Sequence, residues 1–164
     1  MKTDVGERPA GLPLRISAMV YDAVLLFGVV FVVSFALLAV LGWTYPLPDA
    51  RRWVLQAVLF LAIGGYFVAC WSRTGQTLAL KSWKLRLIGP GAAPPSVSRA
   101  VARYVLAWHL FLPGALILLL WPMSAAVAGV VLLVSWMAML LPALIDPERR
   151  LLHDRWTSTR VIRI

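Results

Sequence analysis

Residues Ile16–Trp43, ISAMVYDAVLLFGVVFVVSFALLAVLGW, carry a single charged side chain, Asp22, six residues from the start of the run. A helix of about 20 residues crosses a hydrocarbon core of about 30 Å, so this run alone is long enough to span a bilayer. It is too long for a secretory leader and lacks a small-residue cleavage site, which makes a retained helix the expectation. Arg15 stands at the mouth of the run, about two helical turns before Asp22 and on the same face, with Cα atoms about 10.5 Å apart. An aspartate at the centre of a membrane helix costs roughly 2.5–3.5 kcal/mol and normally faces a partner or water. An Arg15–Asp22 charge pair is therefore the first expectation, with the arginine reaching down from the interface.

Working outward, three more apolar runs are long enough to cross: Trp53–Trp71, Tyr104–Trp121 and Met123–Ile145. The last two are separated by little more than Pro122. A continuous helix from Tyr104 to Ile145 would be about 63 Å long, so a tight hairpin is required. Trp43, Trp53, Trp71 and Trp121 mark run ends, where an indole ring suits the headgroup layer. Pro113 and Gly64-Gly65 fall inside spans and are read as a kink and a close helix contact. With 61% hydrophobic and 14% charged residues and a mean hydropathy of +0.82, the chain cannot cover itself with a polar surface. The expected fold class is all-α, a polytopic membrane protein whose 164 residues form one domain of four transmembrane helices. One cysteine, Cys70, excludes an internal disulfide framework and is read as a packing residue.

Lysines and arginines are strongly sided. Fourteen lie in the N-terminal segment through Arg15, in Ser72–Arg103 and in the tail after Ile145, whereas only Arg51 and Arg52 occupy the other connections. The positive-inside rule then sets both termini and the middle loop in the cytoplasm, in a multi-pass protein of the inner membrane. On that orientation Asp22 lies near the cytoplasmic edge, where structural lock and functional charge both fit. The middle loop carries Lys81, Lys84, Arg86, Arg99 and Arg103 without an acidic residue. Leu80, Trp83 and Leu87 recur at helical spacing and predict a short helix in the membrane surface. Gly89-Pro90-Gly91 ends it, and Ser96 or Ser98 caps the next span. Arg99 and Arg103, four apart, form a like-charge pair that an anion would relieve. Anionic lipid headgroups are the expected partners of the five basic residues, and ordinary membrane anchoring explains them equally well.

Three blocks in this order, Arg15-Ile-Ser-Ala-Met-Val-Tyr-Asp22, Gly75-Gln76-Thr77-Leu-Ala79-Leu-Lys81-Ser-Trp-Lys84-Leu-Arg86-Leu87 and Leu151-Leu-His153-Asp154-Arg-Trp-Thr-Ser158-Thr159-Arg-Val161, resemble the signature of the RDD family of mostly bacterial membrane proteins. The resemblance covers almost the whole chain. It implies that the family's arginine and first aspartate are Arg15 and Asp22, and that the second aspartate is either Asp146 or Asp154. It also implies a role in transport, including cation/proton antiport for some relatives. Ala79 and Ser158 stand where many relatives carry glycine.

In the tail, Pro147 disfavours helix at Asp146 and ends the fourth span. Glu148–His153 is expected to begin a surface helix with Arg149 and Arg150 toward headgroups. His153 and Asp154 are adjacent, so on a helix their side chains diverge by about 100° and do not form a catalytic dyad. Asp154 is free to pair with a loop arginine such as Arg86, latching tail to loop. His109, within the third span, is read as a packing residue, with proton carriage as the alternative. No metalloprotease, nucleophile-elbow or phosphate-loop motif occurs, and two histidines and one cysteine make no zinc site. No enzyme activity, cofactor or metal is expected. Nucleic-acid binding is not expected either, despite a pI of 10.9, because the basic residues are placed as membrane anchors. The leading functional reading is proton-coupled transport of a small cation or solute, with Asp22 as the coupling charge. So few helices make a thin pathway, which calls for a homo-oligomer. The alternative is a non-catalytic assembly or lipid-binding module.

Overall fold

The computed structural model describes residues 8–164, so Lys2, which contributes to the charge count, lies outside the described residues. The chain is mostly helical. Pro13 sits in the first turn of helix α1 (Leu12–Leu41), where its missing N–H leaves no bond unmade. Helix α2 (Asp49–Arg73) opens on Asp49 and closes on Arg73, charges that complement the helix dipole at each end. Both are long and apolar enough to cross a membrane, as is the stretch Ala125–Ile145.

The middle loop folds differently from the surface helix expected over Leu80–Leu87. A short helix α3 (Leu78–Ser82), capped by the Thr77 side chain accepting from the Leu80 N–H, gives way at Trp83-Lys84 to strand β1 (Leu85–Ile88). Lys84 turns the chain with a φ of 52°. Leu85 and Leu87 alternate with exposed Arg86, the period of a strand rather than a helix, and both leucines are fully buried. Gly75 lies beneath β1 with a φ of 72°, and its carbonyl accepts from the Leu87 N–H at 2.7 Å. A Cβ at this position would lie 2.4 Å from the Leu87 carbonyl oxygen, so only glycine fits.

Ser96 caps α4 (Val97–Ala107), accepting from the Arg99 N–H. A 3₁₀ turn at Trp108–Leu110 follows, then α5 (Leu112–Leu120), with a bend of 45° between the two segments. Pro113 accounts for the break, since its ring removes a backbone donor and crowds the preceding turn. The expected third span, Tyr104–Trp121, is thus two segments, and its helix begins seven residues earlier, at Val97. The expected hairpin is present: α5 ends at Leu120 and Ser124 caps α6 (Ala125–Leu140). After a break at Leu141, α7 (Pro142–Ile145) runs to Asp146. Three helical stretches are long enough to span, or four if the bent α4–α5 pair counts as one.

The tail forms α8 (Leu152–Trp156) and strand β2 (Arg160–Arg163), which pairs antiparallel with β1, Leu87 opposite Val161. Pro9 bridges to Ile162 on the other edge. This two-stranded sheet is an addition to the all-α expectation. It also ties the N-terminal segment, the middle loop and the tail together on one side of the helices.

Burial is concentrated there. Ala18, Trp71, Leu80, Leu87, Tyr104 and Val161 form one core, and Leu110, Leu140, Ala143 and Leu151 a second. Gly64 lets α2 approach α4, because a Cβ there would meet the Tyr104 ring at 2.7 Å. Away from this end the helices present Phe31, Phe35, Val40, Leu119 and Val130 outward. Such a surface suits lipid and not water.

Candidate functional site

Asp154, on α8, is fully buried and lies between two arginines from different helices. Arg103 of α4 donates to its Oδ1 from Nε at 3.0 Å and from Nη2 at 2.8 Å, and Arg15 of α1 donates from Nη2 to Oδ2. Arg15 also donates through Nη1 to the Arg149 carbonyl. Arg103 stacks over the Trp71 ring at 4.2 Å, which adds a cation–π contact from α2. One carboxylate thereby joins α1, α4 and the tail. Burial alone would raise the Asp154 carboxyl, but the Arg103 and Arg15 charges override it and hold it well below the usual carboxylate range.

The expected direct pair between Arg15 and Asp22 is not formed. Arg15 points to the tail, whereas Asp22 is held by hydroxyls: Thr77 Oγ1 donates to Oδ2 at 2.9 Å and Tyr66 Oη to Oδ1 at 3.5 Å. A nearer, fully buried carboxylate takes the arginine. Nor does Asp154 pair with Arg86, which stays exposed on β1. Of the two tail aspartates, Asp154 meets Arg15. Asp146 accepts from the Glu148 N–H at 2.8 Å and lies 3.4 Å from Arg150, fixing the turn after α7.

A cavity of about 800 Å³ opens between α1 and the other helices. Phe27, Phe67, Trp71, Tyr104, Trp108 and Trp136 supply aromatic wall, and Arg15, Asp22, Arg103 and His153 supply its polar groups. His153 Nε2 lies 3.4 Å from Asp154 Oδ1, a contact across adjacent residues that the helical geometry argues against. Burial, together with the charges of Arg103 and Arg15, depresses the His153 imidazole to about 3 even though Asp154 opposes the shift. The ring is therefore neutral at ordinary pH. His109, at the α4–α5 break, packs its ring 5.6 Å from that of His153 and bonds through Nδ1 to the Leu106 carbonyl at 2.6 Å.

The remaining motif residues are structural neighbours of this centre. Gln76 Nε2 donates to the Leu85 carbonyl at 2.6 Å, and the Thr157 and Thr159 hydroxyls bond each other at 2.9 Å. Lys81, Lys84, Arg86 and Arg99 are exposed, whereas Arg103 is buried and its anion is internal, Asp154. That also resolves the Arg99–Arg103 repulsion. Arg149 and Arg150 do not begin a surface helix. Arg149 has a φ of 53° in the turn before α8, and Arg150 folds onto Asp146. Tyr66 is a site residue that sequence reasoning missed. A tyrosine in an apolar span, with a hydroxyl that needs a partner there, was the available signal.

The family model described as RDD family matches residues 9–158, taking in every element named above except the last strand. Neither comparison with curated proteins nor comparison with solved structures finds a match.

Proposed function

Because the chain belongs to the RDD family of membrane proteins, we propose that it is a proton-coupled transporter of a small solute with Asp22 as the coupling group. The observation that carries this reading is the setting of Asp22. Its carboxylate borders the interhelical cavity and is held by two hydroxyls and no arginine. Hydroxyls both donate and accept, so Thr77 and Tyr66 satisfy Asp22 whether or not it carries a proton. Asp154 has the opposite character. Clamped by two arginines, it is a permanent anion and serves as the latch that fixes one wall of the cavity.

In this reading α1, α2, the bent α4–α5 pair and α6–α7 are four spans of a bacterial inner membrane. The basic face sets the termini and the middle loop in the cytoplasm. Exposed Lys81, Lys84, Arg86 and Arg99, with half-exposed Trp83 beside them, contact anionic headgroups. The distal part of α1 leaves Phe31, Val32, Phe35 and Val40 exposed, and a homo-oligomer completes the pathway on that side. No catalytic step is assigned to any residue. Purified protein in liposomes free of other proteins, carrying an internal pH dye and an imposed solute gradient, should move protons with the solute. Liposomes that show no proton movement with any solute tested would rule the transport reading out and leave a lipid-binding assembly module.

A further inference from the structure

The charges around the cavity limit what it can hold. Arg15 and Arg103 bring two positive charges, and Asp154 cancels one of them. Asp22 is the remaining anion, faced by Tyr66 and Cys70 from α2, by Thr77 from the loop before α3 and by Arg103 from α4. His153 adds no charge because it is neutral. With Asp22 ionised the polar end is balanced. A cation entering it would leave an excess positive charge in a poorly solvated site, and an anion an excess negative one, each strongly unfavourable. An anion that enters as Asp22 takes up a proton leaves the balance intact.

The walls state the rest of the requirement. The cavity extends along α1 from Arg15 to Phe27, about 18 Å at the helical rise per residue. Apart from its four polar groups it is lined by apolar and aromatic side chains, the character of a pocket for a largely apolar ligand. Among the described residues Arg103 uses Nε and Nη2 on Asp154, and no hydrogen bond engages its Nη1. A planar guanidinium edge recognises a carboxylate better than a rounder anion.

We infer that the cavity binds an amphipathic monocarboxylate, its carboxylate toward Arg103 and Arg15 and its apolar body along α1, together with one proton taken by Asp22. This deepens the transport reading, on which it rests for the exchangeable proton. Nothing is made or broken except the bond between that proton and the Asp22 carboxylate, and the proton comes from water.

The test uses laurate, dodecanol and dodecyltrimethylammonium, added to the purified protein in nanodiscs of zwitterionic lipid, with empty nanodiscs as reference. Binding is read from Trp fluorescence and proton uptake from a pH indicator. Laurate should bind at least about tenfold more tightly than either congener, a difference the charge alone supplies. It should draw in about one proton per molecule bound. Asp22→Asn should bind laurate without proton uptake. Arg103→Gln should lose binding, and because that variant also weakens the Asp154 latch, Ala23→Trp serves as a second probe. It fills the cavity from α1 without touching the latch, and should abolish binding while the protein still melts cooperatively. Preference for the ammonium compound, equal binding of all three chains, or laurate binding without proton uptake would overturn the inference. Absence of flux with laurate binding and proton uptake intact would count against transport and leave the ligand assignment standing.

Discussion

Arg103 donates from both Nε and Nη2 to one oxygen of Asp154, Oδ1, at 3.0 and 2.8 Å, and so leaves Oδ2 for Arg15. The first helix, the fourth and the tail therefore depend on one carboxylate. Removing a single member of a buried ion cluster leaves the others uncompensated, which is worse than never having built it.

Asp154→Asn should destabilise the protein by about 3–5 kcal/mol, because two buried guanidiniums lose their anion. Thermal melting of the purified variant checks this, together with protease cleavage in the tail, which should become faster. A melting temperature equal to wild type would mean that the arginines find another anion.

Gly75 and Ser158 make opposite predictions from the same backbone region. Gly75→Ala adds a methyl group 2.4 Å from the Leu87 carbonyl at a φ of 72°, and should cost more than about 2 kcal/mol. Ser158 holds a φ of 51° between α8 and β2, a conformation that a residue with a Cβ adopts at a penalty. Ser158→Gly should raise stability by about 1 kcal/mol. Equilibrium unfolding of both variants reads the two signs directly.

Acid should weaken the fold through His153. Its folded imidazole is depressed to about 3 by burial and by neighbouring positive charge, whereas the unfolded group titrates near 6.5. Below about 6.5 the unfolded chain binds a proton that the folded chain refuses, so stability is full above that pH and falls as pH drops toward 3. Asp154 adds to the loss only in stronger acid, below the ordinary carboxylate range. Melting temperatures measured from pH 7 to pH 4 should decline in wild type and decline less steeply in His153→Gln.

Sidedness is checked by reporter fusions. Fusions after Ile164 and within Gly89–Ala93 should report the same compartment, because β1 and β2 pair, and fusions near Pro48 the opposite one. By the positive-inside rule, the excess of basic residues on the paired side predicts that this compartment is the cytoplasm.

The helices were legible in the sequence because apolar runs, tryptophans and Pro122 are local signals, and each acts where it stands. The kink at Pro113 and the Ser96 cap are local in the same sense. The site was legible only in part. Arg15 and Asp22 were both recognisable as charges that need a reason, but the partner of Arg15 lies 139 positions away. No periodicity in one sequence reports a contact at that range. Proximity along α1 therefore suggested Asp22, whereas burial selected Asp154. The small sheet had a signal that was outweighed: Leu85-Arg86-Leu87 alternates with period two, but Leu80, Trp83 and Leu87 also fit a helix. Two helical turns of pattern are too short to separate the readings until the strands find each other.

The central claim is that Asp22 couples proton movement to transport, and Asp22→Asn in proteoliposomes tests it most directly. The amide keeps the shape and most of the hydrogen bonding of the side chain but cannot titrate. Proton-linked flux per folded protein should collapse while expression, melting temperature and oligomeric state match wild type. Proton-linked flux that persists at the wild-type level in Asp22→Asn would contradict the claim and make Asp22 a structural residue.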